Sequence, residues 1–139
     1  MLRVVLDTNG LVASLGASSP YRDLWLGFHE SKYTLCVSTE ILLEYQEIIA
    51  SKTSSRIADL VIELILNSEN VEMVTPYYRW NLIQVDHDDN KFVDCAIAAN
   101  ATFIVSDDKH FRPLQFVDFP QVSVLKIMEF IEVLRSSKE

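Results

Sequence analysis

Three apolar runs in this chain stop at carboxylates: Val4-Val5-Leu6 at Asp7, Ile41-Leu42-Leu43 at Glu44, and Thr102-Phe103-Ile104-Val105-Ser106 at Asp107-Asp108. The first and last have the length and continuous apolar character of strands buried on both faces. A fourth acid, Asp94, stands inside the apolar helical stretch Phe92 to Ala99. An isolated charge in apolar surroundings is costly unless it is paired or bound to a metal. Four such acids, if they converge, make a divalent-metal site.

The rest of the chain alternates strand and helix. Arg3 to Leu6 reads as a buried strand, and Leu24, Trp25 and Phe28 recur at helical spacing in Tyr21 to Phe28. A strand over Thr34 to Val37 precedes a helix running to about Ala50, which either Ser38 or Thr39 can cap. Ile57, Leu60, Val61, Leu64 and Ile65 mark a further amphipathic helix, and Val71 to Val74 a strand. The polar stretch Thr75 to Asp88 reads as an irregular connection. Asp88 or Asp89 is then placed to cap the helix that carries Asp94, ahead of the strand Thr102 to Val105. A strand near Val122 to Leu125 and a helix from Lys126 to Leu134 complete the order. Such alternation predicts an α/β fold, an α/β/α sandwich with a central, mainly parallel sheet.

Composition narrows the function. With 139 residues, 49% of them hydrophobic, and only 3 Gly and 4 Pro, the chain has enough apolar matter for one domain over 1–139 with a real core. The first apolar run is too short for a signal-peptide core and no run approaches membrane-spanning length, so a cytoplasmic protein away from membranes is expected. Cys36 and Cys95 lack zinc-ligand spacing and read as small buried hydrophobes. The net charge of −8 argues against broad electrostatic adhesion to nucleic acid, which needs a basic face. It leaves a nucleic-acid enzyme open, because acids that bind a cation contribute to that charge without repelling phosphate once the cation is present.

In open parallel sheets, ligands bind beyond the carboxyl ends of the strands, where Asp7 and the Asp107-Asp108 pair both fall. At 100° per residue, Ile41, Leu42, Tyr45, Ile48 and Ile49 form one face of their helix. Glu44 lies at its margin, whereas Glu40 and Glu47 fall farther around. Each acid also has an ordinary role open to it. Asp7 can open a turn with Thr8-Asn9-Gly10, Glu44 can be a surface helix residue, Asp94 can pair with Lys91, and Asp107-Asp108 can cap Lys109-His110-Phe111. A common site accounts for all of them together.

The chain resembles the PIN-domain family. The resemblance rests on Val4-Val5-Leu6-Asp7-Thr8-Asn9, on Ser38-Thr39-Glu40-Ile41-Leu42-Leu43-Glu44-Tyr45, and on Asp88-Asp89-Asn90-Lys91-Phe92-Val93-Asp94-Cys95-Ala96-Ile97-Ala98, followed by Ile104-Val105-Ser106-Asp107-Asp108-Lys109-His110-Phe111. It implies a PIN-like fold and a metal-dependent ribonuclease, often the VapC-like toxin of a bacterial toxin–antitoxin pair. It assigns catalytic metal-binding roles to Asp7, Glu44, Asp94 and one acid of the Asp107-Asp108 turn, with Ser-x-Asp spacing favouring Asp108. Thr8 or Asn9, together with Ser106, are expected to hydrogen-bond the ligating acids from behind. His110 reads as a loop residue or phosphate contact rather than a general base.

Carboxylates suit Mg²⁺ or Mn²⁺, and metal-activated water cleaving RNA leaves 5′-phosphate and 3′-hydroxyl ends without a side-chain nucleophile. RNA that is single-stranded or structured is the expected substrate. Two other classes fit the acids less well: a phosphoaspartate protein, either a receiver, which needs a paired acid before its phosphorylated Asp and a late Lys, or a phosphatase, whose second acid is here Asn9, and a PIN-like interaction module without catalysis. The apolar helical surface Ile57 to Leu66 suits a homodimer, an antitoxin partner or simple core packing.

Overall fold

The structure, a computed structural model, describes residues 1–136. Its strands are β1 (Arg3–Leu6), β2 (Thr34–Val37), β3 (Val71–Met73), β4 (Phe103–Val105) and β5 (Val124–Leu125). They form one sheet in the order β3-β2-β1-β4-β5, and all four pairings are parallel. The helices are α1 (Thr8–Ser14), α2 (Arg22–His29), α3 (Thr39–Lys52), α4 (Ser55–Leu66), α5 (Asn90–Ala99) and α6 (Ile127–Ser136), with tighter 3-10 segments at His87–Asp89 and Lys109–Phe116.

Val4, Val5 and Leu6 are all buried, as are Leu35, Cys36 and Val37. Successive strand residues point to opposite faces of a sheet, so helices cover both faces and the α/β/α sandwich follows. Continuous apolar runs, rather than alternating ones, are the sequence mark of that burial. α5 packs on β1, β2 and β4, while Phe130 of α6 meets the rings of Phe103 and Tyr33. Cys36 and Cys95 are buried free thiols within this core.

The strand order runs outward from β1 through β2 and β3, then restarts on its other side with β4 and β5. That reversal opens a crevice between the carboxyl ends of β1 and β4, beside Asp7 and Ser106. Local capping decides how each helix leaves it. Asp7 does not open a simple turn, because Thr8-Asn9-Gly10 is the first turn of α1 and the Asp7 side chain caps it by accepting from the Gly10 N–H at 2.8 Å. Ser38, rather than Thr39, caps α3 through the Ile41 N–H. Neither Asp88 nor Asp89 caps α5 with its side chain. Instead Asp86 caps the 3-10 turn through the Asp88 N–H, and the Asn90 amide grips both backbone groups of Ile83 at 2.9 Å. The irregular stretch before α5 is thereby fastened to the helix start. α5 closes at Asn100 with φ 53°, a left-handed cap that asparagine tolerates.

α4 buries only Ala58 and Ile65 completely, leaving Ile57, Leu60, Leu64 and Leu66 exposed. No helix among the described residues is long and apolar enough to cross a membrane. α3 is tied to the crevice by Tyr45, whose buried hydroxyl donates to the Leu6 carbonyl at 2.6 Å. Tyr45→Phe removes that donor from a buried acceptor, and the expected loss is about 1–2 kcal/mol, read from the urea midpoint at unchanged slope.

Candidate metal centre

Asp7 follows β1 directly and is only 6% exposed. Its Oδ1 caps α1, and its Oδ2 accepts from the Ser106 hydroxyl, which stands just past β4. Burial pushes its pKa up to about 6, against the two hydrogen bonds that favour the charged form, and Asp108 and Asp107 push it further upward. The protein therefore holds a carboxylate where its charge is poorly solvated, at the mouth of a crevice that other acids share.

Ser106 links Asp7 to the next acid by accepting from the Asp108 N–H at 2.9 Å. The Asp108 carboxylate accepts from the His110 N–H at 2.9 Å and lies 3.4 Å from the His110 ring nitrogen. Asp107 turns elsewhere, accepting from the Ile127 N–H at the start of α6. On the other side of Asp7, the Thr8 hydroxyl donates to Glu44 Oε2 and the Lys91 ammonium holds Glu44 Oε1 at 2.6 Å. Glu44 is half-buried, whereas Glu40 and Glu47 are exposed, in keeping with its place at the margin of the apolar face of α3. Lys91 also donates to the Asp88 carbonyl at 2.7 Å.

These contacts, together with the chain bonds between Asp88 and Asp89 and between Asp7 and Thr8, close into a circuit. From Asp7 it runs through Ser106 and Asp108 to His110, across to Asp89 at 3.2 Å, and back through Asp88, Lys91, Glu44 and Thr8. Asp86, Asp89 and His110 bring one ligand atom each within 4.8 Å of one another, a grouping able to hold a cation. Burial raises the Asp89 pKa against the pull of His110, and Asp108 and Asp86 raise it further.

Asp94 has different company. It is 4% exposed, and its Oδ1 accepts from the Trp80 N–H at 3.1 Å. Burial raises its pKa, Trp80 and Arg79 oppose that, and Glu40 adds to it. None of its hydrogen bonds among the described residues reaches Asp7, Glu44 or Asp108. Nor does it pair with Lys91, whose ammonium is committed to Glu44. Asn9 lines the crevice beside Asp7, while Thr8 is the residue that touches Glu44. The residue order alone gave Asp86 no role and Asp89 only a place in the family motif and as a possible helix cap. The signal available was their spacing across a helix start, three residues apart, opposite a histidine two positions past Asp108.

The family model for the PIN domain matches residues 3–110, and the chain belongs to the PIN-domain family. That membership removes the receiver and phosphatase alternatives. No curated protein matches the sequence. Among solved structures, the fold is shared with VapBC2 from Rickettsia felis bound to a promoter DNA fragment, at TM-score 0.62 and 15% identity, over 90% of this chain and 98% of that one. DNA-bound VapBC from Salmonella typhimurium gives 0.61 and 14%, over 91% and 99%. The Mycobacterium tuberculosis toxin VapC20, described as cleaving the sarcin–ricin loop, gives 0.58 and 16%, over 83% and 97%.

The raised pKa of Asp7 has a definite sign. In the metal-free protein the folded state binds its proton more tightly than the unfolded chain, so this residue's contribution to stability is greatest below about pH 4 and is lost as pH rises through about 6. Asp7→Asn is expected to raise the melting temperature of metal-free protein by several degrees at pH 7.5 and by little at pH 4, measured by calorimetry in chelator.

Proposed function

We propose that the chain is a divalent-metal-dependent endoribonuclease and the toxin of a toxin–antitoxin pair. The observation that carries this reading is the chain of contacts from Asp7 through Ser106 to Asp108 at the crevice, with Glu44 reached through the Thr8 hydroxyl, and a buried carboxylate whose pKa is already raised. The donor set fits the cation: carboxylate oxygens suit Mg²⁺ or Mn²⁺, and a cation there relieves the burial of acids that repel one another. Asp7, Glu44 and Asp108 would hold it, with Asp94 as the further acid the family motif assigns, and they would draw together to do so, since among the described residues only Asp86, Asp89 and His110 bring three ligand atoms within 4.8 Å of one another. When bound, such an ion supplies an activated water and neutralises charge on the scissile phosphate.

The remaining residues prepare that site. Ser106 fixes one oxygen of Asp7 and the backbone of Asp108 together, and Thr8 and Lys91 orient the two oxygens of Glu44. Lys91 adds a positive charge beside Glu44, where a phosphate oxygen of RNA would approach. Hydrolysis would leave 5′-phosphate and 3′-hydroxyl ends, on RNA whose unpaired backbone can enter the crevice. The solved structures that share the fold include DNA-bound VapBC and the toxin VapC20, and the exposed apolar side of α4 would supply a surface for an antitoxin or a second copy. One observation favours a second reading, a catalytically silent interaction module. The Lys91 ammonium already sits on Glu44, and a built-in cation can replace a metal as the partner of that acid.

Purified protein incubated with a panel of single-stranded RNAs is expected to cut them in Mn²⁺ or Mg²⁺ and not in chelator. Asp7→Asn and Asp108→Asn should each lower the rate by about a hundredfold or more. Cleavage that persists in chelator, or in Asp7→Asn, overturns the metallonuclease reading. Mn²⁺ titration of Asp89→Asn beside Asp94→Asn separates the rival fourth acids. The contacts of Asp89 with the circuit predict that its variant weakens Mn²⁺ binding more than that of Asp94, and the reverse order would return the role to Asp94.

A further inference from the structure

A cavity of about 380 Å³ opens past the carboxyl ends of β4 and β5, beneath the Lys109–Phe116 segment. Asp107 and Asp108 stand in its wall and also line the smaller crevice that holds Asp7 and Asn9, so the two spaces meet at the proposed metal centre. Nothing in the chemistry assigned to that centre uses the cavity. Resting on the nuclease reading above, we propose that it is a base-recognition pocket that takes a purine nucleobase of the RNA next to the scissile phosphate.

The lining argues for a base rather than for a phosphate. Arg112 and Lys126 have no ion-pair partner among the described residues, yet they share the wall with Asp107, Asp108 and Glu129. Two positive groups against three negative ones leave it without the net positive charge that would hold an isolated phosphate. A neutral ligand with donors and acceptors around an apolar plane fits better. Leu114, Val122 and Val124 supply apolar surface for the plane. Gln115, Gln121 and Arg112 supply groups for its edges. The volume falls within the range of small-ligand sites.

The same groups choose among bases. An arginine fork pairs with the O6 and N7 of guanine, and a glutamine amide with the N6 and N7 of adenine. Both pairings use N7, an acceptor that only purines carry. Because the cavity and the acid crevice share Asp108, a base seated here sets the register of the backbone across the acids. Specificity would then arise at β4 and β5 while the chemistry arises between β1 and β4.

The test is calorimetric titration of the full chain in Mg²⁺ with GMP, AMP, UMP and CMP, repeated in chelator, for wild type, Arg112→Ala and Gln121→Ala. Both side chains are exposed, so the variants should melt as the wild type does. Purine nucleotides are expected to bind about tenfold tighter than pyrimidine nucleotides, and each variant to reduce that preference severalfold. Mn²⁺ binding, followed by electron paramagnetic resonance, should be unchanged in both variants. Equal affinity for the four nucleotides, or a purine preference that survives both substitutions, overturns the pocket. Loss of Mn²⁺ binding by the wild type would count against the metal centre alone, because the titration in chelator still reads the cavity.

Discussion

The organisation of this molecule hangs on a carboxylate placed at the end of a buried strand. β1 is covered on both faces, so the residue after Leu6 emerges from apolar surroundings with little room for water. An acid there is stable only if its oxygens are engaged, and Asp7 engages one with the backbone of α1 and the other with Ser106, just past β4. The first contact launches α1, and the second locks the mouth of the β1–β4 crevice. A single side chain thus determines how the chain leaves the central strand and how its neighbouring loop is held.

From that anchor the remaining polar groups take their places through short, specific contacts rather than through net charge. The chain carries an excess of acid, and the acids near the crevice repel one another. They are held in place by hydroxyls, backbone N–H groups, one lysine and one histidine. The arrangement keeps charged groups close at the cost of their solvation, which is why the pKa values of Asp7 and Asp89 are displaced upward. Such displaced groups cluster where a site exploits them.

The acids at the strand ends are legible in the residue order, because a strand-length apolar run that ends in a carboxylate sets a charge at the rim of a core. Glu44 is legible from helical geometry alone, since its angle relative to Ile41 and Tyr45 places it at the edge of the buried face. Asp94 shows where this kind of reading stops. Its apolar neighbours correctly mark it as buried. Its direction depends on the segment around Arg79 and Trp80, which has no periodic pattern and is held against α5 by the Asn90–Ile83 bonds, the Trp80 N–H and the burial of Ile83. Lys91 shows the same limit: its nearest acid in sequence is not the acid it binds.

Periodicity therefore carries the fold class, the order of the strands along the chain, the burial of both cysteines and the acids that follow β1 and β4. Those properties are local, or repeat along one element, and the physics of burial imprints them directly on residue order. Folding alone decides the strand order across the sheet, the different directions taken by Asp107 and Asp108, the partnership of Lys91 with Glu44, and the meeting of Asp89 with His110. Each of these depends on which side chains from distant segments come within hydrogen-bonding distance. That distance is set by packing, and no single stretch of sequence contains it.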